Sequence, residues 1–331
     1  MKTKGRVLAA LGVAMTLLLA ACGGDTADGE KTGDDAKTTT IRMGIQPWIG
    51  YAQWYVAADK GIDAANGIKP ELTVLENDSD QSAAFASGRI DMDNIATHTA
   101  LLLISQGIDL KIVAIEDTST KADAIIARGD VKSIADLKGK KVAYEQGATS
   151  DLLLNAALES QGLTLEDIIP VPMGASEAGT ALIGGKVDVA VTYEPYISTA
   201  LAEDSSVAVI YDGSKAPGLI SDVLVVSSDF AESNPEAVKA AVKAWGESVD
   251  AYNADPAAAQ KIIAKGIGED AEALKTAFDG VQYYNTADTK KAFEGTFQDE
   301  TLPSVYEAAK KIGLITKDVD LTKVVDTSFL P

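Results

Sequence analysis

The chain has one cysteine, one histidine and three tryptophans in 331 residues, and each scarcity closes off a chemistry. Cys22 stands alone, which excludes an intramolecular disulfide, a thiolate zinc site and a cysteine nucleophile. His98, in Ala96-Thr97-His98-Thr99, also stands alone. A single imidazole without a cysteine partner reads as a hydrogen-bonded structural or ligand-contacting group rather than a base. No Gly-x-Ser-x-Gly elbow, phosphate loop, zinc-binding helix pair or calcium loop occurs. The expectation is therefore of a non-enzyme, with no catalytic residue, no metal and no cofactor. Basic residues are scarce too: 29 Lys and Arg stand against 49 Asp and Glu, a formal charge of −20. Phosphate contacts need local cations, so nucleic acid is not a partner.

Three basic residues open the chain. Lys2, Lys4 and Arg6 precede an apolar stretch from Val7 to Ala21, the pattern of a secretory signal over residues 1–21. That stretch is too short to span a bilayer. It ends in Leu19-Ala20-Ala21-Cys22-Gly23-Gly24, which resembles the bacterial lipoprotein box, so Cys22 is the expected lipidation site. Residues 22–40 are small, polar and acidic, a composition that cannot bury enough apolar area to fold and reads as a flexible tether. The expected location is the cell membrane, lipid-anchored on its extracytoplasmic face.

The remainder repeats itself. Ile41-Arg42-Met43-Gly44-Ile45-Gln46 corresponds to Lys141-Val142-Ala143-Tyr144-Glu145-Gln146, and Gly88-Arg89-Ile90-Asp91 to Gly185-Lys186-Val187-Asp188. The third pair is Asp123-Ala124-Ile125-Ile126-Ala127 against Asp222-Val223-Leu224-Val225-Val226. The offsets are 100, 97 and 99 residues. Each copy alternates β and α elements, which predicts an α/β protein of two lobes, each a mostly parallel sheet flanked by helices. Residues 41–122 and 228–331 form the first lobe on this reading and 128–221 the second, with 123–127 and 222–227 as hinge strands. A helical C-terminal segment is predicted at 235–254, 256–265, 270–279 and 303–311, with Asn234-Pro235 and Asp255-Pro256 as capped starts.

Ligands of open α/β sheets sit at the carboxyl ends of strands, so the loops there nominate the site. In the first lobe they offer Gln46, Trp48, Tyr51, Asp78 and Thr97, and in the second Glu145, Thr149, Ser150, Tyr193, Glu194 and Tyr196. The loop before the apolar run Leu152-Leu153-Leu154 places Thr149 and Ser150 at a helix N-terminus, where an anion is favoured or where the hydroxyls simply cap the helix. Aromatic rings suit an apolar or cationic ligand body. Trp54 and Tyr55 lie further into the helix and read as core. The cleft loops contain acids and no lysine or arginine.

The run Gly44 to Gly61 with Pro47-Trp48-Ile49-Gly50-Tyr51, the segment Ile134-Ala135-Asp136-Leu137-Lys138-Gly139-Lys140, and Val187-Asp188-Val189-Ala190-Val191-Thr192-Tyr193-Glu194-Pro195-Tyr196 resemble the nitrate/sulfonate/taurine/pyrimidine-precursor family of ABC-transporter binding proteins. The resemblance implies a type II periplasmic-binding-protein fold that closes on a small-molecule solute. It further implies delivery to a membrane permease with a separate ATPase, by a monomer. It places ligand contacts on Trp48, Tyr51, Thr97, Thr149, Ser150 and Glu194. Two departures narrow the ligand: the basic residues of the nitrate branch are missing from these loops, and so is the cysteine-rich segment of the pyrimidine-synthesis enzymes. A taurine-like zwitterion would set its sulfonate on the Thr149 helix end and its ammonium near Glu194. An amine or pyrimidine-type solute would use the acids and rings alone.

Overall fold

The computed structural model describes residues 38–331; the signal segment, Cys22 and the tether as far as residue 37 lie outside the described residues. The strands are β1 (Thr39–Ile45), β2 (Ile68–Val74), β3 (Met92–Ala96), β4 (Leu110–Ser119), β5 (Asp123–Arg128), β6 (Lys141–Tyr144), β7 (Ile169–Pro172), β8 (Val189–Tyr193), β9 (Val207–Asp212), β10 (Ser221–Ser227) and β11 (Val281–Tyr283). They form a six-stranded sheet, β11-β4-β10-β3-β1-β2, and a five-stranded sheet, β7-β6-β8-β5-β9. Without β11 the two orders are the same pattern: β1, β2, β3, β4 and β10 of one sheet stand where β6, β7, β8, β9 and β5 stand in the other.

This pattern explains the internal repeat and corrects one part of its reading. In each sheet three strands run parallel. Into each a further strand is inserted antiparallel to both neighbours, β10 between β3 and β4 and β5 between β8 and β9. The segments expected to act as hinge strands are thus interior members of a sheet. The chain crosses beside them, at 120–122 and 213–220, because Asp123 and Asp222 already carry sheet register. The two crossings touch: Ser119 N donates to Ile220 O at 3.1 Å, and a Cβ on Gly213 would lie 2.7 Å from Ser119 O.

Alternation along the inserted strands builds the layers. β10 sends Val223 and Val225 to one face and Leu224 and Val226 to the other. The first face is covered by Leu101, Leu103, Phe293, Phe297 and Val305. The second meets Trp54, Val238, Val242 and Trp245. β5 does the same in the smaller sheet, Ile125 and Ala127 opposite Ala124 and Ile126. Trp54 is core, 2 % exposed, and its indole donates to Asn94 Oδ1 at 2.6 Å.

The C-terminal segment contains helices Pro235–Ala254, Pro256–Ile267 and Leu302–Lys311. The helix expected at 270–279 is replaced by turns and a short 3-10 segment, Ala277–Gly280. Gly268, at φ 81°, stops the preceding helix, and after these turns the chain enters β11, which pairs antiparallel with β4. The helix Thr286–Phe293, which the sequence reading did not single out, follows, capped by Asn285 accepting from Asp288 N at 2.9 Å.

Candidate functional site

The strand ends of both sheets converge on one cavity. It is lined from the larger sheet's side by Gln46, Trp48, Tyr51, Asp78, Ala96, Ile220 and Asp222, and from the other by Asp123, Glu145, Ala148, Thr149, Ser150 and Tyr193. Eight of the nominated residues are therefore brought together. Thr97, Glu194 and Tyr196 are not among the lining side chains. The Thr97 hydroxyl is spent on Ser221, with Oγ1 3.0 Å from its carbonyl oxygen and 2.8 Å from its hydroxyl. The Glu194 carboxylate turns onto its own helix and accepts from Ser198 N at 3.0 Å. Tyr196 backs the wall instead of forming it, its ring centroid 5.4 Å from that of Tyr193.

Two charged lining residues were not nominated, Asp123 and Asp222, although a signal for them was present. They are the first residues of the repeated segments at the 99-residue offset. The rule that ligands sit at carboxyl ends misses them because their strands are antiparallel. In an inserted strand it is the amino end that reaches the cleft.

Polar contacts across the cavity are specific. From the Asn77-capped helix Asp78–Ala86, Gln81 organises the floor. Its Nε2 donates to Asp93 Oδ1 at 2.6 Å and to Asn94 O at 2.8 Å, so its Oε1 is left to accept from Gln46 Nε2 at 2.8 Å. Gln46 Nε2 also donates to Asp78 Oδ1 at 2.6 Å. The Gln46 carbonyl oxygen then faces the other lobe and accepts from Tyr193 Oη at 3.1 Å. Each donor assignment forces the next, starting from acceptors buried in the larger lobe. A second bridge joins the lobes where Asp78 N donates to Glu145 Oε1 at 3.0 Å. The Trp48 and Tyr193 rings meet edge to face, 5.6 Å between centroids at 80°.

The inner end is acidic. Asp117 and Asp222 are directly opposite on β4 and β10, so the charge of Asp222 adds to burial in raising the proton affinity of Asp117. Trp48 Nε1 donates to Asp117 Oδ2 at 3.3 Å and Tyr51 Oη to Asp222 Oδ1 at 3.2 Å. Burial, reinforced by neighbouring carboxylates, pushes Asp123 up to about 8 and Asp222 up to about 7. Burial and Asp78 push Glu145 up to about 7. Burial also holds Asp117 and Glu116 well above the usual carboxylate range. His98, 2 % exposed, is pushed down by burial and stands 3.4 Å from the Thr99 hydroxyl. Among the described residues no group of three or more His, Cys, Asp or Glu is arranged to hold a metal ion.

The cavity's free volume is about 30 Å³, room for little more than water, which needs at least about 10–15 Å³. An organic solute enters only as the lobes part. Just outside, a wider space of about 510 Å³ is lined by Glu76, Asn77, Glu145, Gln146, Met173 and Glu177 among others, so the approach is acidic as well.

Gly50 is what lets the Trp48 loop close over Asp117. A Cβ there would lie 1.9 Å from Trp48 Nε1 and 2.1 Å from Asp117 Oδ2. Gly50→Ala is expected to break that hydrogen bond and to cost about 1–3 kcal/mol through overpacking. Thermal melting together with a change in tryptophan emission checks it; an unaltered melt and spectrum would show the loop is slack.

A two-lobed α/β chain whose polar and aromatic groups converge between the lobes defines the class: this is a periplasmic-binding-protein fold. The chain belongs to the NMT1/THI5-like family, whose model matches residues 48–259. It is 26% identical to the taurine-binding periplasmic protein of Escherichia coli (strain K12), over 60% of this chain and 62% of that one. It is 25% identical to the riboflavin-binding protein RibY of Chloroflexus aurantiacus, over 99% of this chain and 98% of that one. Among solved structures, the alkanesulfonate-binding protein SsuA from Xanthomonas axonopodis pv. citri, bound to MOPS, superposes with a TM-score of 0.72 at 20% identity, covering 88% of this chain and 99% of that chain. Among the described residues no helix is long and apolar enough to cross a membrane.

Proposed function

We propose that this protein is the solute-binding subunit of an ABC importer: it captures one small amine-bearing organic molecule between its lobes and delivers it to a membrane permease driven by a separate ATPase. The observation that carries the reading is the cavity assembled jointly by strand ends of both sheets, with hydrogen bonds from Tyr193 to Gln46 and from Asp78 to Glu145 that exist only when the lobes are together. Relatives named for taurine and riboflavin binding support a transport role over an enzymatic one. So does the cavity lining, which offers carboxylates and hydroxyls but no nucleophile paired with a base.

Two solute classes fit. A taurine-like aminosulfonate is favoured by the relative's name and by Thr149 and Ser150 at the start of helix Thr149–Glu159. An amine or pyrimidine-type solute without an anionic group is favoured by the carboxylates. Under either, binding stabilises the native state as RT ln(1 + [L]/Kd), about 2.7 kcal/mol at a hundredfold excess over Kd. A melting-temperature screen across sulfonates, amines and pyrimidines is expected to find at least one such shift at one ligand per chain. A flat screen would remove the receptor role. Anchoring is proposed to reside in Cys22, so Cys22→Ser is expected to move the protein from the membrane fraction to the soluble extracytoplasmic fraction; retention in membranes would refute it.

A further inference from the structure

The hydrogen-bonding inventory of the cavity is one-sided. Trp48 Nε1 is committed to Asp117, Tyr51 Oη to Asp222, and Tyr193 Oη to Gln46. Both protons of Gln46 Nε2 go to Asp78 and Gln81. The Ser150 hydroxyl donates to Glu145 O at 3.1 Å. Of the neutral side-chain donors that line the cavity, only the Thr149 hydroxyl is uncommitted. Acceptors are in surplus: the second oxygens of Asp123, Asp222 and Glu145, and the lone pairs of the tyrosine hydroxyls. Behind them Asp117, fully buried, has an Oδ1 with no hydrogen-bond partner among the described residues.

The helix end that a sulfonate would occupy is already provided with negative charge. Asp151 lies in its first turn and accepts from Gly147 N at 2.9 Å, and the Glu145 carboxylate stands beside it on the cavity wall. A sulfonate has three acceptor oxygens and a full negative charge, so here it would find one free hydroxyl, the helix amides and at least three carboxyls. An ammonium or guanidinium finds the reverse, several acceptors and uncompensated negative charge in a water-poor site.

We propose, resting on the receptor reading above, that the solute is an organic cation with no anionic group. Its charged nitrogen is seated against Asp222 and Asp123 at the amino ends of β10 and β5, with the Trp48 and Tyr193 rings beside its carbon body. Its arrival expels to bulk water a proton otherwise held by these carboxyls. The groups that face this position are Asp117 and Glu116 from β4, Asp78 from the Asn77-capped helix, Glu145 from the end of β6, Glu194 from the end of β8, and the Tyr51 hydroxyl. None is a cation. The raised proton affinity of Asp123 and Asp222 is what such a site shows before a permanent positive charge replaces the proton.

The test uses the full chain in detergent micelles, with calorimetry and melting against ethanesulfonate, taurine, and the cations choline, ethanolamine and putrescine, alongside native mass spectrometry of protein freshly isolated from cells. A cation is expected to bind, or to co-purify, at least tenfold tighter than taurine, with no shift from ethanesulfonate. Its affinity is expected to rise severalfold per pH unit between about pH 6 and 8, with a heat that changes with the ionisation enthalpy of the buffer. Asp222→Asn is expected to weaken it at least thirtyfold without lowering the melting temperature, since that change removes an uncompensated buried charge. Taurine or ethanesulfonate binding as tightly as the cations, or tighter as the pH falls, would overturn the cation assignment and leave the receptor reading intact. A flat panel with no co-purified solute would overturn both.

Discussion

Raising the pH from about 5.5 to about 8.5 is expected to open the unliganded protein. The carboxyls of Asp123 and Asp222, 5 % and 4 % exposed, bind protons up to about pH 8 and 7 when the lobes are together. In water they would lose them near the ordinary value of 3.8. A group whose proton affinity is raised in the closed state stabilises that state fully below its ordinary value, and the contribution is lost as the pH climbs through the raised one. Each pH unit crossed in that window is about 1.4 kcal/mol for one fully titrating group. Two units with two groups therefore reach the scale of a whole interlobe contact, even after a discount for mutual coupling. Parting the lobes re-solvates the carboxylates, so opening is the cheapest relief. Solution scattering is expected to give a larger radius of gyration at high pH, and Asp123→Asn with Asp222→Asn together to hold the compact form throughout. A radius independent of pH in the natural protein would show that these acids do not govern closure.

Gln81→Leu is expected to be the most damaging single change near the site, although Gln81 lines no part of the cavity. It is 1 % exposed, and its amide satisfies Asp93 Oδ1, Asn94 O and one proton of Gln46. Leucine fills the space but takes a hydrogen bond from each of three buried polar groups, of which Asp93 Oδ1 keeps Asn94 N and Gln46 Nε2 keeps Asp78. At about 1–3 kcal/mol for each group left short, not fully additive, a loss of roughly 2–4 kcal/mol is expected in chemical denaturation. The functional effect is separate. Without Gln81 the Gln46 amide is held in its orientation by Asp78 Oδ1 alone, so its side-chain oxygen is less firmly presented to Tyr193 and closure weakens. Tyr193→Phe removes the same interlobe bond while leaving Gln81 in place, so it should weaken ligand binding with only a small change in stability. Equal losses of stability in the two variants would mean that Gln81 acts through packing alone.

Much of this arrangement was legible in the chain. The repeat predicts two α/β lobes, and the strand-end rule leads to Gln46, Trp48, Tyr51, Asp78, Glu145, Thr149, Ser150 and Tyr193, all of which line the cavity. What escaped did so for identifiable reasons. Asp123 and Asp222 were hidden by strand direction, which hydrophobic periodicity does not encode. Glu194 stood in a persuasive context between two tyrosines, yet a carboxylate four residues before a free helical amide is drawn to it, as the bond to Ser198 N shows. Gln81 and Asp93 carry no local mark at all. Their importance comes from meeting Gln46 across 35 residues of chain and each other across 12, which is a property of packing.

The inserted strands also bear on how the chain reaches this state. All five strands of the smaller sheet lie between Asp123 and Asp212 without interruption, whereas the larger sheet needs β10 and β11 from beyond it. The middle of the polypeptide can therefore assemble first from its own contacts. In doing so it draws Ser119 and Ser221 together and removes much of the loop-closure entropy that would otherwise oppose pairing β4 with β10. On this account the inner lobe is the folding template for the outer one. Hydrogen-exchange labelling during refolding should find β5 and β8 protected before β3 and β10.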